Sequence, residues 1–182
     1  EEAIHRKPNM PEALVNWGIA LNSLAKRAEG PDADRLSASA EQKLNAALNL
    51  RPVLPEAHVT KGNVYRQMAG KKRNLDAEGF LKLAALEFAR AHEQKPEMPE
   101  ALVGWGDVLS EQAESKGVPE SDRLFDLAGQ KYKEALRIKP DMHEALFNWG
   151  LAFAYQAQAQ SGPEAERLFA LAGQKFEEAL RI

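Results

Sequence analysis

Apolar residues recur three and four positions apart along this chain, first at Leu14, Trp17, Leu21 and Leu24, then after a break at Leu36, Ala40, Leu44, Ala47 and Leu48. That spacing gathers them on one face of an α-helix, whereas a half-buried strand would alternate. The break holds Gly30-Pro31-Asp32: a loop, then proline in a first helical turn, with an acid where the helix dipole favours it. Gly117-Val118-Pro119-Glu120 and Gly162-Pro163-Glu164 repeat the device. The pattern predicts a helix A over about 11–28 and a helix B over about 32–50. Pro11, Pro55 and Pro99 then open A helices, where the missing N–H costs nothing, and Pro52, Pro96 and Pro140 close B helices.

The same pattern returns every 44 residues, as prolines 8, 52, 96 and 140 and glycines 18, 62, 106 and 150 show. Glu12, Ala13, Ala40 and Ala47 each recur at that interval in all four copies. The copies span 8–51, 52–95, 96–139 and 140–182. Ala3-Ile4 stands where Ala135-Leu136 and Ala179-Leu180 stand, so residues 1–7 are expected to be the tail of an earlier helix B, in a section of a longer array. A repeat of this size is a pair of amphipathic helices that buries its apolar side only against its neighbours.

The residues at fixed places in each copy resemble the tetratricopeptide repeat, whose pattern is large residue, glycine, large residue, then Ala-x3-aromatic, alanine and proline. Copy one supplies Leu14, Trp17-Gly18, Leu21, Ala40, Leu44, Ala47 and Pro52; copy three supplies Leu102, Trp105-Gly106, Leu109, Ala128, Tyr132, Ala135 and Pro140; copy four supplies Leu146, Trp149-Gly150, Phe153, Ala172, Phe176 and Ala179. Two features depart from the family. The tryptophan stands directly before the glycine, three residues later than in the family pattern, and the repeat of 44 residues exceeds the family's length of about 34. The extra residues fall between the glycine and the first alanine, so they lengthen both helices to about 18 residues, or roughly 27 Å. The resemblance implies an all-α, right-handed solenoid of four helix-turn-helix repeats. Gly18 and Ala40 are expected where the two helices cross, since small residues permit a closer approach than the usual separation.

Copy two is irregular. His58 and Lys61 replace the leucine and tryptophan, while His92 and Gln94 occupy leucine and isoleucine or leucine positions. Lys61 and His92 are expected to reach solvent past their stems and rings, leaving this copy less stable; the alternative is a flexible joint.

Totals narrow the function. Twenty-four Lys and Arg against 27 Asp and Glu give no field that would draw nucleic acid or an anionic membrane. The one basic cluster, Lys71-Lys72-Arg73 with Arg66 upstream, is short for a binding stripe and is expected to be a charged loop. Cysteine is absent, which removes disulfides, thiol catalysis and zinc-thiolate sites and leaves the compartment open. No apolar run approaches the roughly 18 residues of a membrane span, and the first residues carry no apolar signal segment. His5, His58, His92 and His143 form no metal-binding spacing, and Gly104-Trp105-Gly106 lacks the third glycine of a nucleotide loop and lies in a helix, so it is expected to serve packing. No catalytic constellation, cofactor or metal is expected.

In arrays of the tetratricopeptide type the A helices line a concave face on which ligands lie. The resemblance carries the groove onto Val15, Asn16 and Ile19 in copy one, Val59, Thr60, Asn63 and Arg66 in copy two, Val103, Gly104 and Asp107 in copy three, and Phe147, Asn148, Leu151 and Tyr155 in copy four. Some family members clamp a terminal carboxylate with lysine and asparagine. The lysine place here holds Val15, Val59, Val103 and Phe147, so that clamp is absent. The set suits a protein or peptide ligand with an apolar stripe, such as an amphipathic helix; alternatively the valines fill gaps between A helices. The chain is thus expected to be a protein-interaction scaffold, or else the non-catalytic part of a larger enzyme or receptor. Head-to-tail self-association is a further expectation. Leu171, Phe176, Leu180 and Ile182 would be exposed on the last B helix, and Leu14 and Trp17 partly uncovered behind the short stub bearing Ile4.

Overall fold

A computed structural model of the protein describes residues 11–71 and 75–182. Among them are helices α1 (Pro11–Arg27), α2 (Gly30–Leu50), α3 (Pro55–Gly70), α4 (Leu75–Gln94), α5 (Pro99–Glu114), α6 (Glu120–Ile138), α7 (His143–Gln158) and α8 (Gly162–Leu180), and no strand. Odd-numbered helices are the A helices and even-numbered ones the B helices. The stub expected over residues 1–7 lies outside the described residues.

The chain forms two compact units, Glu1–Pro96 and Glu97–Ile182. In the first, α1 pairs with α2 and α3 with α4, and α3 packs on both α2 and α1; in the second, α5 pairs with α6 and α7 with α8, and α7 packs on both α6 and α5. Each unit is therefore two hairpins stacked in chain order, A helix beside A helix. The fold is all-α and of the solenoid class.

The same local devices open and close the helices in successive copies. The N–H groups of Ala57, Ala101 and Ala145 bond the carbonyls of Leu54, Met98 and Met142 at 3.0, 3.1 and 3.0 Å, starting α3, α5 and α7. At the other end of a hairpin, the N–H groups of Arg51, Lys95 and Lys139 reach the carbonyls of Ala47, Ala91 and Ala135, each at 2.9 Å, ending α2, α4 and α6. Gly30 and Gly162 take φ of 55° and 62°, the left-handed region that a Cβ would strain, and the following prolines then set the first turns of α2 and α8.

Within each hairpin the A-helix glycine is a seat for one large B-helix side chain. A Cβ built on Gly18, Gly62, Gly106 or Gly150 would stand 2.9, 2.8, 2.7 or 2.6 Å from Leu44, Phe88, Tyr132 or Phe176 respectively. Ala40, Ala84, Ala128 and Ala172 are buried beside these contacts. The close approach expected at the A-helix glycine is thus present in all four copies, and its partner is the large B-helix side chain four residues beyond the alanine. Each fully buried Leu or Phe of this kind contributes about 1.5–3 kcal/mol. One core cluster gathers Leu14, Val15, Leu44, Leu54 and Val64; another gathers Leu102, Val103, Phe125, Tyr132 and Met142.

Candidate functional site

The A faces carry the candidate residues, and burial divides them. In the first unit Val15 and Thr60 are buried, Val59, Asn63 and Arg66 are half-buried, and Asn16 and Ile19 are exposed. Thr60 is occupied locally, its hydroxyl donating to the carbonyl of Glu56 at 2.8 Å. In the second unit Val103, Gly104 and Asp107 are buried, while Asn148 and Leu151 are half-buried. Val15 and Val103 belong to the two core clusters, so they pack inside their units. Asp107 accepts hydrogen bonds from the Tyr132 hydroxyl at 2.9 Å and the Asn148 amide at 2.8 Å, tying α5 to α6 and α7.

What remains open to a ligand in the second unit is a stripe on α7. Phe147 is 44% exposed and Tyr155 40%, with half-buried Leu151 between them at the four-residue spacing of one helix face. His143, one turn earlier, stacks on Phe147 at a 6.2 Å centroid separation and 9° between planes. Phe147 in turn rests 5.5 Å from Phe176, the ring seated on Gly150, so the stripe has a packed foundation.

The second copy holds a polar cluster that single-position reading missed. His58 does not sit among leucines as a bare ring: its Nδ1–H faces Glu87 Oε2 at 2.6 Å, and both residues are buried. Gln94 donates from Nε2 to the Pro52 carbonyl and to His58 Nε2 at 3.1 and 3.2 Å, and its Oε1 accepts the Leu54 N–H at 3.0 Å, a set that fits the Nδ1–H tautomer of His58. The expectation that Lys61 reaches solvent is corrected here. Its side chain is largely covered, and its ammonium lies 3.2 Å from Glu87 Oε1, which Arg90 also meets at 3.2 Å. His92 is likewise half-buried. Burial alone would push the Glu87 carboxyl up, but the hydrogen bond with His58 and the charge of Lys61 outweigh it and hold the carboxyl below its ordinary range. Burial, reinforced by the hydrogen bond to Glu41, pushes the neighbouring Tyr65 phenol up.

The basic cluster is part structural. Lys71 donates to the carbonyls of Ala25 and Ala28 at 2.7 and 3.3 Å, closing the end of α1, and Arg66 is half-buried. Lys72 and Arg73 lie outside the described residues. Of the residues expected to be exposed at the termini, Leu180 and Ile182 are exposed, while Leu171 and Phe176 are half-buried. Leu14, expected to be partly uncovered, is buried, because its side chain joins the α1–α2 core; Trp17 is half-buried beneath Lys43, and Ile4 lies outside the described residues. No helix among the described residues is long and apolar enough to cross a membrane.

Known proteins share this architecture. The family model described as the plant-specific mitochondrial import receptor subunit TOM20 matches twice, over residues 1–101 and 92–181. The chain belongs to this TOM20 family. No curated protein matches the sequence. Among solved structures the chain resembles MamA, with a TM-score of 0.65 at 19% identity, covering 100% of this chain and 86% of that one. It also resembles TTC0263, a thermophilic TPR protein of Thermus thermophilus, with a TM-score of 0.66 at 17% identity and coverage of 100% and 87%. At such identities these likenesses speak to the fold alone, and they place this TOM20 family member among tetratricopeptide-type structures.

Proposed function

We propose that this chain is a non-catalytic, receptor-type scaffold that takes a peptide or amphipathic helix of another protein on the faces lined by its A helices. The observation that carries the reading is the stripe on α7 of exposed Phe147 and Tyr155 with half-buried Leu151 between them. An apolar stripe at helical spacing, flanked by the Asn148 amide, matches the i, i+3, i+4 anchors of a helix laid across it. The family description names an import receptor subunit, and a receptor of that description recognises polypeptides, in keeping with this chemistry. In the first unit Ile19, Asn16, Asn63 and Arg66 offer a separate, more polar surface on its own A helices. A formal net charge of −3 gives no pull toward nucleic acid, in keeping with a protein partner.

Titration of a labelled amphipathic helical peptide against the chain tests this. Phe147→Ala and Tyr155→Ala are each expected to weaken binding about tenfold, since exposed aromatics make the anchors of such contacts. Lys82→Ala, at an exposed place on α4, is expected to leave it unchanged. Equal affinity in all four proteins, with their helical circular dichroism intact, would sink the proposal.

A further inference from the structure

An exact period carries a hazard for folding. Every A helix offers a glycine and every B helix a large side chain to seat on it, and a Cβ on that glycine would stand between 2.6 and 2.9 Å from its partner in all four copies. These apolar contacts therefore do not tell one copy from another. An A helix could close on the B helix of a different copy, in its own chain or in a second one, with its apolar face satisfied.

The polar contacts are not interchangeable. In the second copy Glu87 is buried with His58 Nδ1 at 2.6 Å and the Lys61 ammonium at 3.2 Å. The other copies hold tryptophan at the Lys61 place and lysine at the Glu87 place. Closed on α2, α6 or α8, helix α3 would set Lys61 against Lys43, Lys131 or Lys175. Closed on α1, α5 or α7, helix α4 would set Glu87 against an indole, keeping Arg90 of its own helix but losing Lys61 and His58. The third copy is marked differently. Buried Asp107 accepts from the Tyr132 hydroxyl at 2.9 Å within the hairpin, where the fourth copy has Leu151 and Phe176. Exchanging α6 and α8 would part Tyr132 from that acceptor and turn Asp107 toward a phenyl ring. The first copy, with Ile19 and Leu44 at those places, carries neither mark. No two adjacent copies share the same residues at both pairs of places.

Stacking of one hairpin on the next is marked in the same way. In the first unit the Tyr65 hydroxyl of α3 donates to Glu41 of α2 at 2.7 Å. In the second unit the Glu41 place is Gly129, whose added Cβ would stand 3.0 Å from the indole of Trp149, and the Tyr65 place is Phe153. Set on α2, helix α7 would press Trp149 against a side chain where its own floor has none. Set on α6, helix α3 would leave the buried Tyr65 hydroxyl opposite a glycine. We propose that these buried polar pairs fix which A helix closes on which B helix and which hairpin it stacks on. They do so because each exchange between neighbouring copies leaves a buried charge or hydroxyl without its partner. This role in folding is independent of what the A faces bind.

Refolding by dilution from urea at about 100 μM tests this, in the range where incompletely folded chains meet one another. The readout is the excess of two-chain and larger species, by size-exclusion chromatography, in refolded over never-unfolded protein. One variant combines His58→Leu, Lys61→Trp and Glu87→Lys and so erases the mark of the second copy. Another combines Asp107→Leu and Tyr132→Phe and gives the third copy the residues of the fourth. Each is expected to keep or raise the urea midpoint of the unsubstituted chain, yet to show about tenfold more excess, the discrimination that one unpartnered buried group supplies. Leu168→Ala opens a cavity in the core and leaves both marks in place, so it is expected to lower the midpoint without raising the excess. If both combined variants refold as cleanly as the unsubstituted chain, the proposal is overturned. An excess for Leu168→Ala equal to theirs overturns it too, because instability rather than mispairing would then govern assembly.

Discussion

Lys43, Lys131 and Lys175 each lie over a tryptophan, at 3.7, 4.4 and 4.5 Å from the rings of Trp17, Trp105 and Trp149. In the second copy the tryptophan has become Lys61 and the lysine has become Glu87, so a cation–π pair is exchanged for an ion pair at the same place. That exchange was legible in principle. Taken alone, Lys61 is a misplaced cation; taken with its counterpart 26 residues on, it is one half of a paired change. Asp107 tells the same story, since the one copy with tyrosine rather than Phe or Leu at the seated position is the one with an acid to accept its hydroxyl. Glu87→Lys is therefore expected to lower stability by about 3 kcal/mol, because it gathers two ammonium groups and His58 without a counter-ion. The triple change His58→Leu, Lys61→Trp, Glu87→Lys restores the pattern of the other copies and is expected to be neutral or stabilising; urea midpoints compare the variants, and a triple variant no better than Glu87→Lys sinks the account. Glycine gives a second contrast. Gly106→Ala pushes a methyl against the buried Tyr132 ring, whose hydroxyl is anchored on Asp107, so overpacking of about 1–3 kcal/mol exceeds the roughly 1 kcal/mol gain in helix propensity. Gly79→Ala, in α4 with nothing within 4 Å, is expected to gain about 0.5–1 kcal/mol. Equal urea midpoints for these two variants would show that the seat tolerates the methyl.

At the scale of the element, prolines and glycines made helix bounds legible wherever they punctuate the chain. The first copy's expected 11–28 and 32–50 appear as Pro11–Arg27 and Gly30–Leu50, because proline and left-handed glycine leave the backbone little choice. The second copy has no Gly-Pro loop, so the start of α4 had no such mark. Its hairpin differs from the others in how it responds to acid. The Glu87 carboxyl is held below the 4.5 of an ordinary one, so its contribution to stability is complete above that pH and is lost as pH falls through its folded value. The Lys–Trp pairs of the other hairpins carry no group that titrates there. Glu12 and Glu164 are lowered as well, Glu12 first through its own backbone hydrogen bond and then Arg51, and Glu164 through Arg167, but both are solvent-exposed and their pairs are screened. Below pH 4.5, amides of α3 and α4 are thus expected to lose exchange protection sooner than those of α1 and α2, after correction for intrinsic rates. Glu87→Gln should abolish the pH dependence of that difference. Parallel loss of protection in both hairpins of the unsubstituted chain would contradict it.

Across the whole molecule, the period tells which residues hold equivalent places in the four copies, but not which of them stay open. Val15 and Phe147 hold the same place in their copies, yet one is buried in a core and the other exposed on α7, because burial depends on the neighbouring helix rather than on the position within the repeat. The sequence could therefore assign candidate residues to the A helices but not tell which of them are exposed. The same dependence on neighbours governs how damage should spread. Each unit has its own core cluster, the first drawn from Leu14 through Val64 and the second from Leu102 through Ala152. In a stack whose stability is a sum of repeat and neighbour terms, a local lesion weakens adjacent hairpins first. Gly62→Leu would drive a side chain into Phe88, whose ring lies 2.8 Å from where even a Cβ would stand. Exchange protection is then expected to fall in α3 and α4, with a smaller loss in α1 and α2, whose A and B helices both pack on α3. Amides of α5 to α8 should keep the protection of the unsubstituted chain, since their core is built from residues of the second unit. Exchange followed peptide by peptide by mass spectrometry checks this, and a uniform loss across all eight helices would show that the two units unfold as one.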